Sequence, residues 1–232
     1  MLTSIYSHQY LIGHADLQPG DEAMGGLYGE LIPTAEYYSR VQQAVWEFGA
    51  DTSPDYSKWY ALALNAQLDN GYFLFPLGGY EIADSPDFPH EPKHLYLAGI
   101  AAEIIQDFIK IDPPRTFVEE PWEPLTVQQK LALEAELGRE IGLILPKTAA
   151  PVAHSLISTQ PKFSALCRFG ASDDVLFSIY YPTSPNSNFA LVHLTWSGAH
   201  EKHPSFPKTI YFDSFAEFKL ERMYPDKTYW ED

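Results

Sequence analysis

His200-Glu201-Lys202-His203 is the densest run of potential metal ligands in the chain. A zinc-binding pair wants histidines at i and i+4 on a helix, so that both rings face one ion. Here they are three apart, and Pro204 and Pro207 argue for a loop. His8, His14 and Asp16 form a second candidate set, but strand alternation would put all three on one face whether or not they bind anything. His193 shares a strand face with Phe189, Leu191 and Thr195, so a half-buried histidine satisfied by a neighbour is expected. Cys167 sits mid-strand among apolar residues, with Arg168 on the opposite face. It reads as a structural thiol, not a nucleophile. Gly25-Gly26 and Gly78-Gly79 lack the flanking glycine or lysine of a phosphate-cradling loop, and no G-x-S-x-G elbow occurs. No catalytic residue, resident metal or cofactor is expected.

Carboxylates are the more productive signal. Asp16, Asp21 and Glu22 bracket one turn, Asp51 and Asp55 another, and Asp84, Asp87 and Glu91 line the proline-rich connection 84–92. Paired acids can act as a glycosidase acid and base, or bind calcium, although no twelve-residue EF-hand spacing is present. These loops also alternate acids with Tyr56 and Phe88. Rings supply buried area at an interface and charges steer the approach, so these eight acids are the expected partner-binding residues.

The charge balance supports that reading. Of 232 residues, 15 are Lys or Arg and 31 are Asp or Glu, a formal charge of −16. Residues 1–120 hold 18 of the acids and 5 of the bases. Phosphate backbones and anionic membranes call for the opposite sign, which excludes both as expected partners. A basic protein partner is favoured instead. A single cysteine excludes an internal disulfide. No apolar run reaches the roughly 18 residues of a membrane span. The opening MLTSIYSHQY lacks the basic flank and apolar core of a signal peptide, so a cytoplasmic location is expected.

The elements that must position these residues predict an α+β fold, with mainly antiparallel sheet and about four helices. Residues 4–17 read as one strand and 23–32 as a second. A helix runs from Thr34, its N-cap, to Gly49. Residues 54–68 are ambiguous: Ser53-Pro54 reads as a helix start, yet 60–68 alternate in a way that favours a strand, and Asn70-Gly71 marks a hairpin whose return strand runs from Tyr72 towards Tyr80. A strand at 94–98 precedes a helix carrying Ile100, Ile104, Ile105, Phe108 and Ile109. Four prolines in 110–125 suggest a linker over 113–125, between sub-domains 1–112 and 126–232. Thr126 and Gln129 predict a capping box for a third helix bearing Leu133 and Leu137. Residues 146–161 read as a loop. Strands are predicted at 162–169, 175–181, 188–196 and 208–212, the first two joined by a five-residue loop. Ser214 and Glu217 predict a second capping box, with Pro225 ending that helix. The chain's 5 Trp, 15 Tyr and 14 Phe can fill one or two cores.

Three segments resemble a known group. Gly20-Asp21-Glu22-Ala23-Met24-Gly25-Gly26, Pro33-Thr34-Ala35-Glu36-Tyr37-Tyr38 and Ala190-Leu-Val-His-Leu-Thr-Trp-Ser-Gly198 are similar to stretches of small bacterial immunity proteins encoded beside polymorphic toxins. The resemblance implies a non-enzymatic inhibitor that binds a cognate toxin domain. It carries over no site residue. The expectation is therefore an immunity-type inhibitor that covers a basic toxin domain with acidic, aromatic-bearing loops. Two alternatives stand beside it: a hydrolase with a carboxylate or His/Asp metal site, and a structural or assembly subunit.

Overall fold

A two-residue turn at His8-Gln9 splits the expected first strand into β1 (Leu2–Ser7) and β2 (Tyr10–Asp16), which pair antiparallel. His8 takes φ 53°, and its amide donates to the Ala63 carbonyl at 3.1 Å. A tertiary contact thus supports a turn with no glycine or proline in it. The computed structural model describes residues 1–111, 115–142, 161–181, 184–200 and 206–231. The chain divides between Arg115 and Thr116 into two units.

The first unit adds β3 (Gln18–Pro19), β4 (Leu27–Pro33), β5 (Leu64–Leu68), β6 (Phe73–Leu74), β7 (Gly79–Ala83) and β8 (Lys93–Ala98). Every pairing is antiparallel, in the order β6-β5-β1-β2-β4-β8-β7, with β3 beside β4. Laid flat, seven strands at about 4.8 Å spacing would hold β6 and β7 about 29 Å apart. Only residues 75–78 join these two strands, and that link reaches at most about 19 Å. The sheet must therefore curl until its two ends approach. Its enclosed face buries Ile5, Ile12, Leu17, Leu31, Leu95 and Leu97, each worth about 1.5–3 kcal/mol.

Three helices follow β4 in place of the single helix expected: α1 (Ala35–Arg40), α2 (Gln42–Ala50) and α3 (Tyr56–Tyr60). Val41, at φ −119°, interrupts the first pair. Thr34 is the N-cap residue, but its hydroxyl donates to the Leu11 carbonyl (2.7 Å) rather than capping. Tyr60, expected in a strand, closes α3, because Asp55 caps that helix by accepting the Ser57 amide at 3.0 Å. The Asn70-Gly71 hairpin forms, with Gly71 at φ 94°. Its return strand is only two residues long, and Pro76 and Gly79 turn the chain into β7. The expected second strand loses its first residues: Glu22–Met24 form a 3-10 turn capped by Asp21, and β4 begins only at Leu27. The helix after β8 is α4 (Ala102–Ile104), which widens to a π turn at Ile105–Lys110.

The second unit carries the sheet β13-β12-β11-β10-β9, again antiparallel throughout. Its strands are β9 (Trp122–Pro124), β10 (Lys162–Phe169), β11 (Asp174–Tyr181), β12 (Ser184–His193) and β13 (Lys208–Phe212). Both units together make the α+β fold that the sequence predicts. Part of the expected linker is structural. Phe117 is buried and β9 pairs with β10, since prolines are tolerated on an edge strand. The expected loop at 146–161 lies, but for Pro161, outside the described residues.

Helix α5 (Val127–Glu140) begins with the predicted capping box of Thr126 and Gln129. Beyond β13 come α6 (Phe215–Phe218), a π turn at Lys219–Met223 and α7 (Tyr224–Glu231). Ser214 caps the Glu217 amide, but the Glu217 carboxylate reaches Asp213 N instead of completing the box. Pro225 does not end the helix. It lies inside the continuous helical run from Phe215 to Glu231, directly after the π turn that Tyr224 N closes on the Lys219 carbonyl. Phe117, Phe189, Phe215, Phe218 and Trp122 form a ring cluster in the core, Trp122 meeting Phe218 edge-on at 4.9 Å.

Candidate functional site

A cleft of about 580 Å³ opens in the first unit, where α2 and α3 face β7 and the connection that follows it. The helices contribute rings. Phe48 on α2 lies 4.7 Å from Trp59 and 5.2 Å from Tyr56, and Tyr56 lies 6.0 Å from Tyr60. The i, i+4 spacing of Tyr56 and Tyr60 puts both on one face of α3. Trp59 is buried, and its indole N–H donates to the Tyr80 carbonyl of β7 at 3.2 Å, which ties the ring wall to the sheet.

β7 and the following connection contribute acids: Glu81, Asp84 and Glu91 line the cleft, with Phe88 and His94. No lysine or arginine lines it. Asp84 is the buried member, its side chain 2% exposed. Tyr37 donates to Asp84 Oδ2 at 2.8 Å and Gln42 at 3.0 Å, while Lys93 Nζ lies 3.4 Å from Oδ1. Burial alone would raise the Asp84 carboxyl. Hydrogen bonds from Gln42 and Tyr37, with the nearby Trp46 indole and the Lys93 charge, outweigh it and hold the group below its ordinary value. The same contact, after burial, pushes the Tyr37 phenol far up.

Glu81 and Glu91 are exposed and make no ion pair among the described residues. Of the unit's cations, Lys93 is taken up by the cleft's own buried Asp84, and most of the others are paired away from the cleft. Arg40 pairs with Glu36, Lys93 with Asp84, Lys110 with Glu22 and Arg115 with Asp107. Lys58 on α3 has no ion pair, and it does not line the cleft. The field at the cleft mouth is therefore negative.

The eight acids singled out from the sequence fall in two places. Asp84 and Glu91 line the cleft, Asp87 lies between them in the chain, and Asp51 and Asp55 lie on the link between the helices that supply its rings. Asp51 and Asp55 also hold that link, accepting the amides of Ser53 and Ser57. Asp16, Asp21 and Glu22 do not line the cleft. Asp16 holds the N-terminal ammonium at 2.6 Å, Asp21 caps the 3-10 turn, and Glu22 pairs with Lys110 at 2.7 Å. Sequence reasoning named Tyr56 and Phe88, both of which line the cleft, but missed Glu81 and the rings of Phe48, Trp59 and Tyr60. Glu81 alternates with Tyr80 and Ile82 as an ordinary solvent-facing strand residue, and nothing local signals that two helices cover that stretch.

The remaining candidates are placed as follows. His14 Nδ1 is 3.4 Å from Ser4 Oγ, His8 is in the β1–β2 turn, and Asp16 is held by Met1. Among the described residues no group of three His, Cys, Asp or Glu could hold a metal ion. His193 is half-buried, with Nδ1 2.9 Å from Asp174 Oδ1. Cys167 is fully buried, and burial pushes its thiol well up, which makes it inert. His200 donates from Nδ1 to the Glu140 carbonyl, and the rest of the 200–203 cluster lies outside the described residues. Among the described residues no helix is long and apolar enough to cross a membrane. Compared with protein-family models, curated proteins and solved structures, the chain matches none.

Proposed function

We propose that this chain is a non-enzymatic binding protein, an immunity-type inhibitor that captures a basic toxin domain in the bacterial cytoplasm. The observation that carries the reading is the cleft itself, where a ring wall and carboxylates without counter-ions share one concave surface. Acids around its mouth speed encounter with a cationic face, and the rings slow release once the face is seated. The resemblance of Gly20–Gly26, Pro33–Tyr38 and Ala190–Gly198 to immunity proteins supports the same reading.

The test is association with the basic domain of a secreted protein encoded beside this gene. Reversing Asp51, Asp55, Asp87 and Glu91 to lysine should slow the on-rate by about 10-fold to 100-fold and flatten its dependence on salt. Co-expression of the native chain should restore growth of cells that make the domain. No rescue, or an on-rate that ignores the four reversals, overturns the reading.

A further inference from the structure

We infer that the cleft between α2–α3 and β7 is a receptor site for a guanidinium group, the side chain of an arginine presented by the partner. The inference rests on the binding reading above and gives it a chemical key.

The cleft volume of about 580 Å³ falls within the range of ligand sites and exceeds one side chain, so an arginine can enter with its flanking backbone. Its walls combine two chemistries that suit few ligands together. Phe48, Tyr56 and Tyr60 offer ring faces at a half-exposed or exposed surface, and an aromatic face attracts a cation through its quadrupole. Glu81 and Glu91 line the same space and have no counter-ion among the described residues. An anion would be repelled here. A neutral apolar ligand would strip water from both carboxylates and return nothing.

Guanidinium is favoured over ammonium for two physical reasons. It is planar and weakly hydrated, so it stacks on a ring at low desolvation cost, and its fork of N–H donors can bridge a carboxylate bidentately. The floor is also fixed in advance. Asp84 is engaged by Tyr37, Gln42 and Lys93, and Trp59 is bonded to Tyr80, so neither must reorganise when a ligand arrives. Binding of a lone side chain is weak by itself, with a dissociation constant on the order of 1 mM, and becomes strong when the arginine is one anchor of a larger interface.

The test uses the full chain labelled with ¹⁵N and three small probes: N-acetyl-arginine amide, N-acetyl-lysine amide and the neutral N-acetyl-citrulline amide. The arginine probe should move the Trp59 indole signal and the amides of Glu81 and Ala83 saturably, the lysine probe should bind several-fold more weakly, and citrulline should leave them still. Glu81→Gln with Glu91→Gln should weaken the arginine probe by about tenfold. Both residues are exposed, so the variant folds. Tyr56→Ala should weaken it further. Citrulline binding as well as arginine, or no saturable shift at about ten times the expected constant, overturns the inference. The two readings fail separately. Arginine binding in the cleft without capture of any basic domain defeats only the inhibitor reading. Capture of such a domain unaffected by Glu81→Gln and Glu91→Gln defeats only the guanidinium site.

Discussion

The Lys93 ammonium lies 3.4 Å from Asp84 Oδ1, with the two side chains 6% and 2% exposed. A pair this dry is held by its hydrogen bonds as much as by its charge. Removing one partner leaves the other charged and buried. Asp84→Ala also strands the Tyr37 hydroxyl and the Gln42 amide. The expected cost is about 3–5 kcal/mol, read from the denaturant midpoint. Replacing both residues by apolar ones, Asp84→Leu with Lys93→Met, should cost much less than the two single changes added. A loss below about 1 kcal/mol for Asp84→Ala contradicts this account.

The same carboxylate makes a pH prediction. The folded-state pKa of Asp84 lies below its ordinary value of 3.8. The unfolded chain therefore takes up the proton first as the pH falls. The stabilisation is complete above the ordinary carboxylate value and is lost progressively below about pH 4, as the folded group protonates. Urea midpoints of the native chain and Asp84→Asn, followed from about pH 6 to about pH 2.5, should converge at the acid end. A constant gap would mean that Asp84 acts through packing alone.

Gly25 offers a steric test in the first unit. It sits at φ 59°, and a Cβ there would lie 2.3 Å from the Ile100 carbonyl oxygen. The close approach lets Ile100 N donate to the Gly25 carbonyl at 3.0 Å. Gly25→Ala should cost at least about 2 kcal/mol, from backbone strain and displacement together. Gly49, on α2, has open space around it. Gly49→Ala should be neutral or stabilising by up to about 1 kcal/mol. Equal midpoints for the two variants would contradict this close-packed turn.

What could be read from the sequence was local chemistry. Asn70-Gly71 turns because Gly71 takes positive φ and the Asn70 side chain accepts the Tyr72 amide, and Thr126 with Gln129 satisfies amides within four residues of chain. The strands of the second unit are β-branched and aromatic between polar turns, and β10 and β13 run over the predicted residues. What could not be read was set from a distance. The His8 turn is supported by Ala63, far along the chain, and β9 hides among prolines that only an edge permits. The cleft is of this second kind. Five of the eight predicted acids lie in it or on the segments beside it, but the ring wall is brought there by α2 and α3, and although Ser53-Pro54 announces a helix start, nothing local says that these helices cover β7.

Helix α5 shows the same limit most clearly, because polar side chains on both flanks of its Leu133–Leu137 stripe are buried. Lys130, Glu134, Glu136 and Glu140 are all at most 8% exposed. Glu140 Oε1 accepts from Thr195 N at 2.7 Å, Thr195 Oγ1 at 3.0 Å and Trp196 N at 2.9 Å, while Glu136 Oε1 accepts from Gly198 N at 3.0 Å. These two carboxylates take the place of a further strand neighbour for residues 195–198, where β12 has ended and Trp196 adopts φ 53°. Trp196 is consequently presented half-exposed, its indole N–H donating to Asp173 at 2.9 Å. Glu140→Ala removes the carboxylate that accepts from the Thr195 and Trp196 amides and should cost about 3 kcal/mol. Glu140→Gln keeps an acceptor and fills the same volume, so about 1 kcal/mol is expected. Hydrogen exchange separates this from a general loss of stability. In Glu140→Ala the amides of Thr195 and Trp196 should exchange at least about tenfold faster, while those of β10 and β11 change only as far as global stability dictates. If the two amides exchange no faster than the rest of the sheet, the loop is held by something other than Glu140.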